Sequence, residues 1–328
     1  MIVDLPDTTT SKITKKLVTI RDEGGAVALG RVLTLVIAAE FGTEEVAIEA
    51  ANDASREHPM RVIVLAKEPE EAAGSSATAT AAKTARLDAQ IRVGGDAGAS
   101  EVIILRAYGE AGNNEESLIT GLLLPDAPVV AWWPGKAPEV ASTSPLGRIA
   151  QRRITDASAQ EDPHEALLHL ARTYAPGDTD FAWTRLTLWR AQLAAVLDQP
   201  PYEPVLDAQV SGAADSPSTV LLAAWLKLQL KVDVKHELTS RGAGSSGIHG
   251  VRLTRASGDI DLERPVANVA TLVQPNQPTH DLALPRRSLR DCLAEELRRL
   301  DPDDLYGDVL TTGLGQLDEA ELPTKGSN

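Results

Sequence analysis

The residues able to do chemistry are few, and their spacing rarely matches what the chemistry needs. Gly242-Ala243-Gly244-Ser245-Ser246-Gly247 spells G-x-G-x-x-G. A dinucleotide site requires that run between a strand and a helix, so that the helix N-terminus meets the pyrophosphate. Here Ile248 to Leu253 continues as another strand, with no crossover helix before Asp259 and Asp261. The run therefore reads as a hairpin loop, and a nucleotide- or sugar-phosphate-binding enzyme using Gly242 to Gly247 is the rival reading. Gly94-Gly95-Asp96-Ala97-Gly98 also lies between strands and reads as a turn. His164 and His169 are five apart and do not share a helical face as i, i+4 metal ligands would. His280-Asp281 is an adjacent pair in a Pro-rich loop. The sequence has no G-x-x-x-x-G-K-[ST], H-E-x-x-H, nucleophile-elbow serine or paired-cysteine motif. The single cysteine, Cys292, has no intrachain partner, and it shares a helical face with Leu289, Leu293 and Leu297. It reads as a small core thiol. No catalytic residue, cofactor site or metal ligand is assigned.

Tryptophan stands out instead. Aromatic residues make up 3% of the chain, yet five of them are Trp, gathered at three places. Trp132 and Trp133 end a strand and are followed by Pro134-Gly135. Adjacent strand residues point to opposite faces, so one indole is expected in the core and the other at a contact surface. Arg148, Arg152 and Arg153 follow closely and would form a local basic patch. Asp180 stands at a helix start, with Trp183, Arg185, Trp189 and Arg190 on the helix it opens. Trp and Arg are enriched at binding hot spots. These ten residues are therefore the candidate partner-binding set, although Trp183 and Trp225 also suit core packing.

The segments carrying these residues resemble the glucose-6-phosphate dehydrogenase assembly protein family, OpcA. The resemblance rests on Pro128 to Gly135 (PVVAWWPG), Arg148 to Asp156 (RIAQRRITD), Gly177 to Arg190 (GDTDFAWTRLTLWR) and Ser218 to Leu226 (STVLLAAWL). It implies a non-catalytic protein that binds glucose-6-phosphate dehydrogenase, supports its assembly and activates it allosterically; a purely structural scaffold that binds the dehydrogenase without altering its kinetics is the other alternative. Photosynthetic relatives are linked to thiol control through thioredoxin. This chain departs from that pattern in carrying Cys292 alone, so an intramolecular redox switch is not expected.

The elements that must position these residues read as two α/β domains, each a mixed sheet flanked by helices. In the first, residues 1–157, Thr10 to Asp22 is helical, and Arg31 to Ala39 and Arg61 to Ala66 are strands around a helix starting at Thr43. That unit favours a parallel pair with a right-handed crossover. Ala72 to Thr84 reads as a mobile loop, and Leu87 to Val93 as an edge or half-exposed strand. Glu101 to Tyr108 and Ala127 to Trp133 are further strands. In the second domain, residues 158–312, helices span His164 to Tyr174 and Asp180 to about Leu197. A strand at Val205 to Val210 precedes a helix opened by Ser216-Pro217, and a strand meander follows from Val232 to Leu272. Leu289 to Leu300 closes that domain, and residues 313–328 read as a flexible tail.

With 328 residues, 43% of them hydrophobic, the chain can bury two cores. Its formal net charge of -15 works against binding a phosphate backbone, which needs clustered Lys and Arg, so nucleic acid is not an expected partner. No apolar run approaches the roughly 20 residues that a membrane span requires, and the N-terminus lacks a secretory layout. A cytoplasmic location with no membrane partner is expected.

Overall fold

The run Leu33–Glu40 is apolar and β-branched and forms strand β2, buried along most of its length. Such continuous burial belongs to a parallel strand covered on both faces. The computed structural model describes residues 1–23, 32–67, 85–94, 101–239 and 247–317. The chain divides into two units, Met1–Thr155 with Ser288–Pro302, and Asp156–Arg287 with Asp303–Asn328. Each is an α/β assembly built on a mixed sheet.

The first unit contains β1 (Ile2–Leu5), α1 (Thr10–Glu23), β2, α2 (Glu44–Ala54), β3 (Met60–Lys67), β4 (Arg86–Val93) and β5 (Glu101–Tyr108). It continues with α3 (Glu115–Thr120), β6 (Val129–Trp132), α4 (Pro145–Ile149) and β7 (Arg152–Thr155), and receives α9 (Leu289–Arg298) from much later in the chain. Strand order within the unit is β1-β4-β5-β3-β2-β6-β7. Strands β5, β3, β2, β6 and β7 are parallel, while β4 is antiparallel to both β5 and β1. The chain runs outward from β2 to β3 and β5, then returns to β6 on the other side of β2. The carboxyl ends of β2 and β6 thus flank a topological switch point, where open α/β sheets form a crevice. Arg61 and Glu101 face each other across β3 and β5 as a buried ion pair 2.6 Å apart, and Arg61 Nη1 also donates to the Leu122 carbonyl.

Helix α9 was expected to close the second domain but belongs to the first unit. Its apolar face, Cys292, Leu293 and Leu297, is buried as α9 packs against α2. Arg152 of β7 donates to Glu296 and, through Nη1, to the Asp301 carbonyl at 2.8 Å. Strand β4 is not an edge strand, because β1 pairs with its outer side. The loop expected at Ala72 to Thr84 lies outside the described residues.

The second unit holds α5 (Pro163–Thr173), β8 (Asp178–Asp180), α6 (Phe181–Thr184), α7 (Thr187–Leu197), β9 (Asp207–Ala213), α8 (Pro217–Leu230) and β10 (Val234–Thr239). Then come β11 (Ile248–Arg255), β12 (Gly258–Val266), β13 (Asn268–Val273), β14 (His280–Leu284) and α10 (Asp304–Asp308). The six-stranded sheet runs β10-β9-β11-β12-β13-β14, with β9 and β10 parallel across α8 and every other pair antiparallel. Where β9 meets α8, a Cβ on Gly212 would lie 2.4 Å from Thr219 Oγ1, so glycine permits the close approach. One face of the sheet packs on α6, α7 and α8 through Val210, Val251, Leu253, Leu262 and Leu222.

A single helix from Asp180 to Leu197 was expected, and two helices are found. The Leu186 amide bonds to the Trp183 carbonyl, a tightened turn, while Arg287 Nη1 and the Thr187 hydroxyl both donate to the Thr184 carbonyl. That carbonyl is thereby drawn away from the helical ladder. His280 and Asp281 lie on β14 rather than in a loop. Helical turns continue from α10 to Gln316, and Leu314 and Leu317 are buried, so 313–317 are packed rather than part of a flexible tail; residues 318–328 lie outside the described residues.

Candidate functional site

A cleft of about 1120 Å³ opens in the first unit at the carboxyl ends of β2, β3, β5 and β6. Ala38–Glu40, Lys67, Ala107 and Trp133–Gly135 line it, together with Thr43 and Ala47 of the β2–α2 corner. This is where the topology places a ligand crevice. A dinucleotide would set its pyrophosphate against the turn between β2 and α2, accepting hydrogen bonds from backbone N–H groups.

That place is taken. The Gly42 amide donates to Glu44 Oε2 at 2.6 Å, and Glu44 Oε1 is held by Arg106 Nη2 at 3.0 Å. The Glu44 carboxylate is buried, so it acts as a built-in anion at the start of α2. Glu40, Glu110, Glu115 and Glu139 line the same cleft, and Lys67 is ion-paired with Glu115. A diphosphate would meet this carboxylate-rich wall, so the residues present do not fit a dinucleotide. The Gly242 to Gly247 run fares no better as a fingerprint. Gly247 is its one described residue, and the strand β11 begins at Ile248 where a helix would be needed.

The structure sorts the ten candidate contact residues into two groups. In the first unit, Trp132 is 0% exposed and Trp133 5%. Trp132 pairs between Ile37 of β2 and Ile154 of β7, and Trp133, just past the strand, joins the core on the cleft side. The sequence expectation of one inward and one outward indole assumed a sheet open on one face. This sheet's central strands are covered on both, and both indoles are buried. Arg152 and Arg153 are buried as well, the former on Glu296, the latter donating to the Ala150 carbonyl at 3.0 Å. Arg148 is the exposed member and pairs with Glu116 at 2.8 Å. These arginines are consumed by internal acceptors rather than forming an open basic patch.

In the second unit, Asp180 caps α6 by accepting from the Ala182 amide at 2.8 Å and also accepts from the Ala157 amide at 2.9 Å. Arg185 grips Asp156 with two hydrogen bonds of 2.8 and 2.6 Å. Trp183 is buried, donates from Nε1 to Asp303 Oδ2 at 2.8 Å, and carries the Arg190 guanidinium 3.7 Å over its ring. Trp189 is buried beneath Arg264. Burial and the nearby charge of Arg286 lower the Arg264 pKa to about 10. Sequence reading missed Glu44, Asp156, Glu296 and Asp303 as partners. Only Glu44 had a local signal, a Gly-Thr-Glu-Glu turn directly after an apolar strand.

No group of three or more His, Cys, Asp or Glu able to hold a metal occurs among the described residues. Nor, among them, is any helix long and apolar enough to cross a membrane. What the two groups of side chains do is lock backbone and rings in place. Neither aligns a nucleophile with a base.

The architecture is that of a two-unit α/β protein, each unit built on a mixed sheet. Residues 51–172 match the glucose-6-phosphate dehydrogenase subunit N-terminal domain, and residues 176–310 match the corresponding C-terminal domain, both of the OpcA family. The chain belongs to the OpcA glucose-6-phosphate dehydrogenase assembly family. No curated relative matches its sequence. Among solved structures, an oxidoreductase from Sinorhizobium meliloti shares 11% identity at a TM-score of 0.46, over 87% of this chain and 96% of that one. KijD10, a 3-ketoreductase from Actinomadura kijaniata, shares 12% at 0.45 over 87% and 96%. Glucose-6-phosphate 1-dehydrogenase from Mycobacterium avium shares 10% at 0.42 over 86% and 91%. These three likenesses carry no function over.

Proposed function

We propose that the protein is a non-catalytic partner of glucose-6-phosphate dehydrogenase that supports assembly of the enzyme and raises its activity allosterically, in the cytoplasm. The observation that carries the reading is the pair of consecutive family matches spanning residues 51–172 and 176–310. The Glu44 carboxylate, seated where a dinucleotide phosphate would lie, supports the non-catalytic part. Among the candidate contact residues, Arg148 is the most exposed and the first to examine at the interface.

The test is to assay the dehydrogenase of the same cell at limiting glucose 6-phosphate, with and without this protein, while following complex mass by sedimentation. Faster turnover together with a heavier species is expected. NADP reduction by this protein alone, or the absence of any complex, overturns the reading. Activation is also expected to be insensitive to dithiothreitol, because Cys292 is buried and the sequence offers it no second thiol.

A further inference from the structure

The two faces of the second unit's sheet differ sharply. One is packed against helices, and residues of the other are exposed or half-buried along β9 to β14. On that open face the register sets Val266 beside Val269, and Val269 beside Ala283. The bulge in β12 between Glu263 and Val266 turns Val266 to this side. Val266 is 58% exposed and Val269 38%, which is unusual for a row of aliphatic side chains across three strands. The next row aligns Glu263, Thr271 and Asp281, and the one beyond sets Asp261 beside Val273. An apolar centre with a charged border is the anatomy of a protein interface.

Charge selects the occupant. Arg252 is held by Asp261 at 2.6 Å and Lys235 by Asp207 at 3.2 Å, so these two bases are paired internally. In the row next to the valines the charged residues, Glu263 and Asp281, are both carboxylates. A second copy meeting this face about a twofold axis would set the same patch against itself, carboxylate facing carboxylate. A surface bearing Arg or Lys around a small apolar patch satisfies both features.

We propose that this open sheet face, centred on Val266, Val269 and Ala283 and bordered by Glu263 and Asp281, docks a basic, partly apolar surface of glucose-6-phosphate dehydrogenase. The proposal rests on the partnership read above and names the surface that serves it.

The experiment titrates the full chain against the dehydrogenase of the same cell by interferometry, at about 50 and about 300 mM salt. Wild type is compared with the double variant Glu263→Lys/Asp281→Lys, with Val269→Ser, and with Glu23→Lys/Glu49→Lys. The last makes the same charge change on exposed helix positions of the first unit. Wild-type binding should weaken with salt. The sheet double variant should lose roughly tenfold or more in affinity, mostly in association rate, and the helix double variant should bind as wild type. Val269→Ser should weaken binding at both salt concentrations alike. Thermal melts are run on every variant, and because these positions are exposed the melts should coincide. Wild-type binding left intact by all three sheet substitutions overturns the surface while sparing the partnership. Equal weakening by both double variants also overturns it, as does a change in self-association confined to the sheet variants. Failure of the wild type to bind at all overturns the partnership itself, and the surface with it.

Discussion

The two sheets of this chain make opposite use of the same strand–helix–strand beginning. In the first unit β2, α2 and β3 open a parallel sheet enclosed on both sides, and its strands read as near-continuous apolar runs such as Leu33–Glu40 and Met60–Lys67. In the second, β9, α8 and β10 feed an antiparallel meander in which Leu253, Ile260 and Leu262 alternate with Arg252, Asp259 and Asp261. The first arrangement buries polar side chains as ion pairs, as with Arg61–Glu101 and Arg152–Glu296. The second leaves half of each strand to water. The second unit thus presents an open sheet face, which the first unit's central strands do not.

The sharpest way to break this contrast is at the tryptophans. Trp132→Ala and Trp133→Ala should each lower folding stability by about 3–5 kcal/mol, read by urea denaturation, because each indole is enclosed. A Trp133→Ala variant that melts as wild type yet no longer binds the dehydrogenase would return that indole to the surface. Next is the buried pair. Arg152→Ala should cost about 3 kcal/mol or more by leaving Glu296 charged and alone, whereas Arg152→Met combined with Glu296→Leu should recover most of the loss. If the double change were as damaging as the single one, packing rather than charge would dominate at α9.

A pH dependence sharpens the comparison within the second unit. Burial, the main cause, together with the charge of His236 lowers the pKa of His164 from its ordinary value, against a smaller opposing pull from Asp162 and Glu165. The folded state therefore prefers neutral His164. Its contribution is complete above the ordinary histidine range near 6.5 and is lost as pH falls below it, since the unfolded chain takes up the proton first. Wild type should lose thermal stability from pH 7 to pH 5 more steeply than His164→Gln; parallel slopes would remove His164 from the account. The smallest effect is expected on the open face. Val269→Thr should alter stability by no more than ~0.5 kcal/mol, and a larger loss would mean that something packs there.

The parts of the fold legible in the sequence were those whose reason is local. Strands β2, β3 and β5 announce themselves by β-branched runs, and α8 by Ser216-Pro217 followed by an apolar helix. Strand β7 did not, because Arg152-Arg153 looks like a solvated basic patch until Glu296 and the Asp301 carbonyl, far along the chain, are brought to it. The same long-range pairing hid the role of Asp303, which Trp183 reaches across more than a hundred residues. Whether Trp132 and Trp133 are buried depended on whether their sheet was covered on one face or two. Periodicity over four strand residues does not carry that information.

The return of α9 has a consequence for how the protein is made. The first unit takes residues 288–302 and the second takes 303–317 among those described, after each has contributed its main body earlier in the chain. A nascent chain that has reached residue 287 still lacks the helix that lies along α2 and the partner Asp303 for Trp183, so neither core is whole. Both units then receive these segments within about thirty residues of one another, and a ribosome stalled just short of that point holds two unfinished domains rather than one finished and one pending.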